Sequence, residues 1–115
     1  MPLNYDQMVD LVNRNQSGES HIPIIDVRGE DEVSDTGMIP TAVNVPLNEL
    51  ADAVHLKDSA FAEKYGSEKP EKSKPVVLYC LKGMRAEKAR EVLEQEGYTA
   101  INTYPGSWEE WSAHH

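Results

Sequence analysis

The chain of 115 residues contains a single cysteine, Cys80. One cysteine excludes an intramolecular disulfide, a Cys-x-x-Cys redox pair and a zinc site built from several thiolates. A chain of this length is long enough for one hydrophobic core and leaves little room for a second. We therefore expect one domain, residues 1–115, whose only thiol serves either packing or chemistry.

Long apolar runs are also absent from the sequence. No stretch approaches the ~20 apolar residues that a membrane-spanning helix needs. The first residues carry an early acid, Asp6, and have no apolar segment of the kind found in secretory signals. We expect a soluble protein of a reducing compartment, the cytoplasm, with no membrane partner.

Positive charge is scarce. The chain has 11 Lys and Arg against 20 Asp and Glu, which gives a formal net charge of −9. A nucleic-acid partner requires a basic face, so this composition argues against one. Two cations close to the only cysteine, Lys82 and Arg85, are a local exception to the sign of the chain.

Short apolar segments alternate with helical patterns along the chain. Apolar, β-branched runs predict four strands, at residues 22–27, 43–45, 76–79 and 100–104. A capping-box start at Asn4 and Gln7 opens the first helix, and residues 86–96 have the spacing of an amphipathic helix. This alternation predicts an α/β domain with a mainly parallel sheet, in which ligands bind at the carboxyl ends of the strands.

The only cysteine occupies such a strand end. Cys80 directly follows the most apolar strand and precedes a predicted helix, whose free N–H groups and dipole favour an anion. Gly83 allows unusual backbone angles in the connecting loop. We interpret Cys80 as a nucleophile, present as a thiolate near neutral pH. The alternative is a buried cysteine that acts only as a small hydrophobic residue.

Three motifs then resemble the rhodanese-like domain family, over essentially the whole chain. They are Asp26-Val27-Arg28 with Glu32 a turn later, residues 37–47, and the loop from Cys80 to Arg85 with the closing segment 104–111. The insert around residues 61–70 is similar to that of small single-domain thiosulfate sulfurtransferases. Thr41 departs from the pattern, since the family usually has glycine there.

The resemblance implies a three-layer domain with about five mainly parallel strands flanked by helices. It also implies a two-step sulfur transfer without metal or organic cofactor. Cys80 would take a sulfur atom from thiosulfate or a similar donor and pass it to cyanide, glutathione, thioredoxin or another thiol. N–H groups of the loop would stabilise the persulfide anion. Lys82 and Arg85 would attract the dianionic donor.

The remaining site residues have predicted supporting roles. Leu81 and Met84 are expected to offer backbone N–H groups, with side chains at the rim of the pocket. Arg85 is either a cation for the donor or a structural hydrogen-bond donor of the loop. Asp26 and Arg28 are expected to be structural, in an ion pair with Glu32 that ties the strand end to the next turn. The alternative for Asp26 and Arg28 is a direct role in catalysis.

Two other functions remain open. Phosphatases and arsenate reductases of this general scaffold have five residues between Cys and Arg, whereas four separate Cys80 from Arg85 here. A shorter loop makes a tighter cradle, suited to one sulfur atom. A non-catalytic binding or regulatory module is the second alternative, and the retained Cys80 argues against it. The sequence leaves the physiological donor, the acceptor and the oligomeric state open.

Overall fold

Four short parallel strands form the centre of the fold. A computed structural model describes residues 2–115, and the sheet within that range has the order β2-β1-β3-β4 with every neighbouring pair parallel. The strands are β1 (Ile24–Asp26), β2 (Ala42–Asn44), β3 (Val76–Tyr79) and β4 (Ile101–Thr103). The predicted parallel α/β architecture is therefore confirmed.

Helices connect the strands and close both ends of the chain. They are α1 (Tyr5–Ser17), α2 (Glu30–Thr36), α3 (Leu47–Ala53), α4 (Asp58–Tyr65), α5 (Met84–Gln95) and α6 (Ser107–Ala113). The predicted capping box opens α1, with Asn4 and Gln7 exchanging side chain–backbone hydrogen bonds of 2.8 and 2.9 Å. Across residues 2–115, no helix has the length and apolar character needed to cross a membrane.

The expected number of about five strands is wrong by one. Across residues 2–115 the sheet has four, and β4 lies at its edge. The segment before α1 makes a backbone hydrogen bond to that edge, from Leu3 N–H to Thr103 O at 2.8 Å. The next residue, Asn4, already caps α1. The chain therefore turns into a helix before a further strand can extend.

Two apolar clusters cover the two faces of the sheet. Successive side chains of a strand point to opposite faces, and β3 follows this rule: Val76 and Leu78 belong to one cluster, Val77 and Tyr79 to the other. The first cluster contains buried residues of α3, α4 and α5, and the second contains residues of α1 and α6. Helices therefore lie on both faces, in the three layers that the resemblance implies.

Thr41, just before β2, has a left-handed backbone with φ of +71°. L-residues with a Cβ avoid this region, and glycine adopts it without a steric penalty. The sequence departs from the family's usual glycine at this position, so the departure places a strained residue in a turn away from the Cys80 loop.

The carboxyl edge of the sheet collects the sequence-predicted site residues. Asp26 ends β1, Cys80 follows β3, and Tyr104 follows β4. Backbone hydrogen bonds continue past the strand ends, from Val27 N–H to Tyr79 O at 3.0 Å and from Tyr104 N–H to Leu78 O at 2.9 Å. Helices α2, α3, α5 and α6 also begin at this edge, and the starts of α5 and α6 contact Cys80.

Candidate active site

The Cys80 sulfur lies inside a tight loop between β3 and α5. The residue is 1% exposed, and its Sγ accepts a hydrogen bond from the Gly83 N–H at 2.9 Å. Four residues separate Cys80 from Arg85, and α5 begins within them, at Met84. The loop therefore directs a backbone donor at the sulfur, as the prediction of an anion-holding loop requires.

Glycine is required at position 83 by the path of the loop. Gly83 has φ of +105°, and a Cβ there would lie 3.0 Å from the carbonyl oxygen of Pro105. The sequence assigned the N–H donors to Leu81 and Met84, whereas the hydrogen bond to the sulfur comes from Gly83. The Met84 side chain is 77% exposed, which agrees with a place on the rim.

The start of α6 holds the loop from the protein side. The N–H groups of Trp108 and Glu109 donate to the carbonyl oxygens of Cys80 and Leu81, at 2.9 and 3.0 Å. Two consecutive peptide units of the loop are thus bonded to two consecutive residues of one helix. Such bonds fix the direction of the loop without using any side chain.

Ser107 contacts Cys80 directly, and the sequence prediction missed it. Its buried hydroxyl accepts the Cys80 N–H at 3.2 Å, donates to Tyr104 O at 2.9 Å and lies 4.0 Å from Cys80 Sγ. Its backbone is left-handed, with φ of +56°. The available signal was topological, because Ser107 follows the strand next to β3 and reaches the same sheet edge.

Asp26 and Arg28 form a fully buried ion pair beneath the site. Asp26 is 0% and Arg28 1% exposed, and Nε and Nη2 of Arg28 donate to the Asp26 carboxylate at 2.8 to 3.1 Å. Burial is the largest single influence and lowers the pKa of Arg28, but the hydrogen bond and charge of Asp26, together with the charges of Tyr79 and Glu32, raise it overall. Arg28 also donates to Thr36 Oγ1 and Gly37 O, at 2.9 and 2.8 Å.

The predicted pairing of these residues with Glu32 is therefore wrong. Residues two apart at a strand end face the same side, so Arg28 meets Asp26 within its own segment. The Arg28 guanidinium also lies 5.0 Å from the ring centroid of Trp108, a cation–π distance. The pair thus contacts the helix that holds the Cys80 loop.

Glu32 pairs instead with Arg85, the last residue of the loop motif. Nη1 and Nη2 of Arg85 donate to the two carboxylate oxygens at 2.6 and 2.9 Å. Glu32 also accepts the Gly29 N–H at 2.8 Å. The Arg85 hydrogen bond, followed by that of Gly29, lowers the pKa of Glu32 to about 2. The ion pair thus joins the start of α2 to the start of α5.

Lys82 is the other cation of the loop, and its ammonium is largely free of the protein. Its side chain is 72% exposed, and Nζ lies 3.9 Å from the Glu109 carboxylate, a loose contact. Within residues 80–83, the loop therefore contains a buried sulfur, a backbone donor and an exposed ammonium group. Across residues 2–115, no group of three His, Cys, Asp or Glu side chains is placed to hold a metal ion.

Comparisons with known proteins agree with this geometry. The profile of the rhodanese-like domain matches residues 8–114. A rhodanese domain-containing protein of Drosophila melanogaster is 40% identical over 108 residues, which cover 94% of this chain and 93% of the relative. The human thiosulfate:glutathione sulfurtransferase is 35% identical over 89 residues, 76% of each chain.

A solved structure extends the likeness to three dimensions. The human single-domain sulfurtransferase TSTD1 superposes with a TM-score of 0.84 at 30% sequence identity, over 99% of this chain and 96% of that one. Family profile, sequence relatives and fold agree over nearly the full length described here. This chain belongs to the rhodanese-like domain family.

Proposed function

We propose that the protein is a sulfurtransferase that carries a sulfane sulfur on Cys80. Thiosulfate is the proposed donor, and a small or protein thiol such as glutathione or thioredoxin is the proposed acceptor. The observation that carries the proposal is the hydrogen bond from Gly83 N–H to Cys80 Sγ, made where α5 begins. The human relative named thiosulfate:glutathione sulfurtransferase supports the choice of donor and acceptor.

The first step forms a persulfide. The Cys80 thiolate attacks the outer sulfur of thiosulfate, a new S–S bond forms, and the S–S bond of thiosulfate breaks. Sulfite leaves with the bonding electron pair, and the negative charge of the persulfide rests on the transferred sulfur. Backbone N–H groups of the loop are suited to stabilise that charge, in the way that an oxyanion hole stabilises an oxyanion.

The second step returns the enzyme to its starting state. A thiophilic acceptor attacks the outer sulfur of the persulfide, and the Cys80 thiolate leaves. Cyanide then gives thiocyanate, and a thiolate acceptor gives a new persulfide. Neither step requires a general acid at the sulfur, because each leaving group departs as an anion.

The length of the loop favours sulfur over phosphate. Four residues separate Cys80 from Arg85, so the ring of donors is small for a phosphoryl group. The guanidinium that would face a phosphate oxygen is also engaged by Glu32. We expect no useful hydrolysis of p-nitrophenyl phosphate by the wild-type protein.

Mass spectrometry of the intact protein tests the first half-reaction. After incubation with thiosulfate, the wild type should gain about 32 Da, one sulfur atom, and lose it again on addition of cyanide, with release of thiocyanate. Sulfite, which has no sulfane sulfur, is the matched control for the donor. Cys80→Ser should keep its fold and gain no mass, because a hydroxyl cannot form a persulfide.

Two results would contradict the proposal. One is a wild type that remains unmodified across a range of sulfane donors. The other is a Cys80→Ser variant that retains thiosulfate:cyanide activity. The first result would favour a binding or regulatory role for this domain.

A further inference from the structure

The two cations of the Cys80 loop have very different partners. Arg85 gives one hydrogen bond from each terminal nitrogen to Glu32, at 2.6 and 2.9 Å. Lys82 has a single loose contact with Glu109 at 3.9 Å, and 72% of its side chain is exposed. A bidentate guanidinium–carboxylate pair is both stronger and more directional than such a contact. The two charges are thus unequally available to an arriving anion.

We propose that Glu32 is a positioning residue that sets the charge selectivity of the site, because it binds Arg85 and withholds that guanidinium from the anionic sulfur donor. Lys82 is then the loop cation that meets the donor. The identity of the anion as a sulfur donor rests on the proposed function. The central measurement, the rate of alkylation of Cys80, does not depend on sulfur transfer.

Glu32 is held in place by more than its ion pair. Its Oε2 accepts the N–H of Gly29, the N-cap residue of α2, at 2.8 Å, so the carboxylate is anchored to the helix start as well as to Arg85. Arg85 in turn belongs to the first turn of α5 and is 35% exposed. Both partners thus extend from helix starts at the sheet edge, where Cys80 also lies.

The charges of Arg85 and Cys80 interact. The Glu32 hydrogen bond is the largest cause that raises the pKa of Arg85, and the charge of Cys80 contributes in the same direction. A guanidinium close enough to interact with the thiolate is close enough to attract an anionic donor once its carboxylate partner is removed. Loss of Glu32 should therefore make the site more attractive to anions.

The test compares an anionic with a neutral reagent at the same sulfur. We expect iodoacetate and iodoacetamide both to alkylate Cys80, the only thiol of the chain, and the ratio of their rate constants reports the local potential without any sulfur transfer. Glu32→Gln should raise the iodoacetate/iodoacetamide ratio by about threefold or more at low salt, and 0.5 M NaCl should reduce the gain. The same variant should lower the KM for thiosulfate more than it changes kcat.

Asp31→Asn is the matched control. Asp31 is the exposed neighbour of Glu32, so this variant makes the same change in net charge one residue away. It should leave the alkylation ratio close to that of the wild type. In an Arg85→Gln background, Glu32→Gln should change the ratio no more than Asp31→Asn does, because the effect acts through the guanidinium.

Three results would overturn the inference. They are an unchanged or reduced ratio in Glu32→Gln, an equal gain in Asp31→Asn, and a gain that persists without Arg85. If Glu32→Gln does not fold, the double variant Glu32→Gln/Arg85→Gln, which removes both charges of the pair, is compared with Lys82→Ala instead. The inference requires the double variant to keep an alkylation ratio close to that of the wild type while Lys82→Ala lowers the ratio, and a double variant that lowers it as much as Lys82→Ala does contradicts the inference. If the wild type forms no adduct with thiosulfate, the proposed function is contradicted. The alkylation test of Glu32 can still be carried out and interpreted.

Discussion

Two arginine–carboxylate pairs flank the Cys80 loop, and they differ mainly in burial. Arg28 and Asp26 are 1% and 0% exposed, whereas Arg85 and Glu32 are 35% and 40% exposed in their side chains. Both pairs are multidentate and have short hydrogen bonds. Their chemistry is thus nearly identical, and their surroundings give them different roles.

The buried pair is part of the scaffold. Arg28 adds hydrogen bonds to Thr36 and Gly37 and lies over the Trp108 ring, so removal of the guanidinium affects several segments at once. The pair of Arg85 and Glu32, hereafter the exposed pair, is only part-buried and is in contact with solvent. A charge pair near the surface is inexpensive to break, since water replaces the lost partner. We therefore expect the first pair to act in stability and propose that the second acts in selectivity.

The largest effect on stability is expected from Arg28→Ala. This change leaves the Asp26 carboxylate buried without its partner, and such a loss costs about 3–5 kcal/mol in the free energy of unfolding. Urea denaturation measures it, with Arg85→Ala as the matched variant at the exposed pair, where we expect at most about 1 kcal/mol. Equal losses at the two positions would show that burial does not separate the pairs.

Ser107→Ala should have the next largest effect. Without the hydroxyl, the Cys80 N–H and the Tyr104 carbonyl lose a buried partner, which costs about 1–3 kcal/mol. Ser107→Gly separates two causes, since glycine also lacks the hydroxyl but relieves the left-handed backbone. We expect Ser107→Gly to be the more stable of the two variants. If Ser107→Ala unfolds at the same urea concentration as the wild type, the hydroxyl contributes no support to the loop.

Elements formed by local patterns could be predicted from the sequence. The strand before Cys80, the start of α1 and the parallel sheet follow from apolar runs and a capping box, and each depends on residues close in the chain. The partners at the site depend on which helix starts meet at one sheet edge. Glu32 lies 53 residues from Arg85, and the sequence alone did not indicate that they pair.

The expectation of about five strands came from the family resemblance, whereas the apolar runs of the sequence predicted the four strands that the structure has. The residues before α1 are able to pair with β4, and Leu3 makes that bond. Whether a strand forms is decided by the position of the Asn4 cap relative to the sheet edge, which is a matter of tertiary geometry. Ser107 was missed because its role depends on the adjacency of β3 and β4, which appears only once the strand order is known.

Acid should weaken the exposed pair in a defined range of pH. The pKa of Glu32 is lowered from 4.5 to about 2, so its contribution to stability is fully present above pH 4.5 and is lost as the pH falls toward 2. At pH 7 we expect Glu32→Gln to lose at most about 1 kcal/mol, because solvent screens the pair. Denaturation of both proteins at a series of pH values measures the difference, which should shrink below pH 4.5 and disappear below pH 2. A difference that persists there would mean that Glu32 stabilises the fold through packing and not through its charge.

Lys82→Ala should have the smallest effect on stability, because it removes a cation that has almost no partner in the protein. Its ammonium is 3.9 Å from Glu109 and mostly in solvent, so we expect an unfolding midpoint in urea equal to that of the wild type.

If Lys82 meets the donor, its loss should raise the KM for thiosulfate about two- to fivefold at low salt, as expected for one exposed charge. Because exposed charges are screened over about 10 Å at 0.1 M ionic strength, the effect should shrink as salt is added. Lys82→Arg, which keeps the charge, is the control and should remain close to the wild type. Kinetics that are independent of salt and identical in Lys82→Ala and the wild type would mean that the donor is held by the loop backbone alone, and the contrast between the two arginine pairs would then have no counterpart in substrate binding.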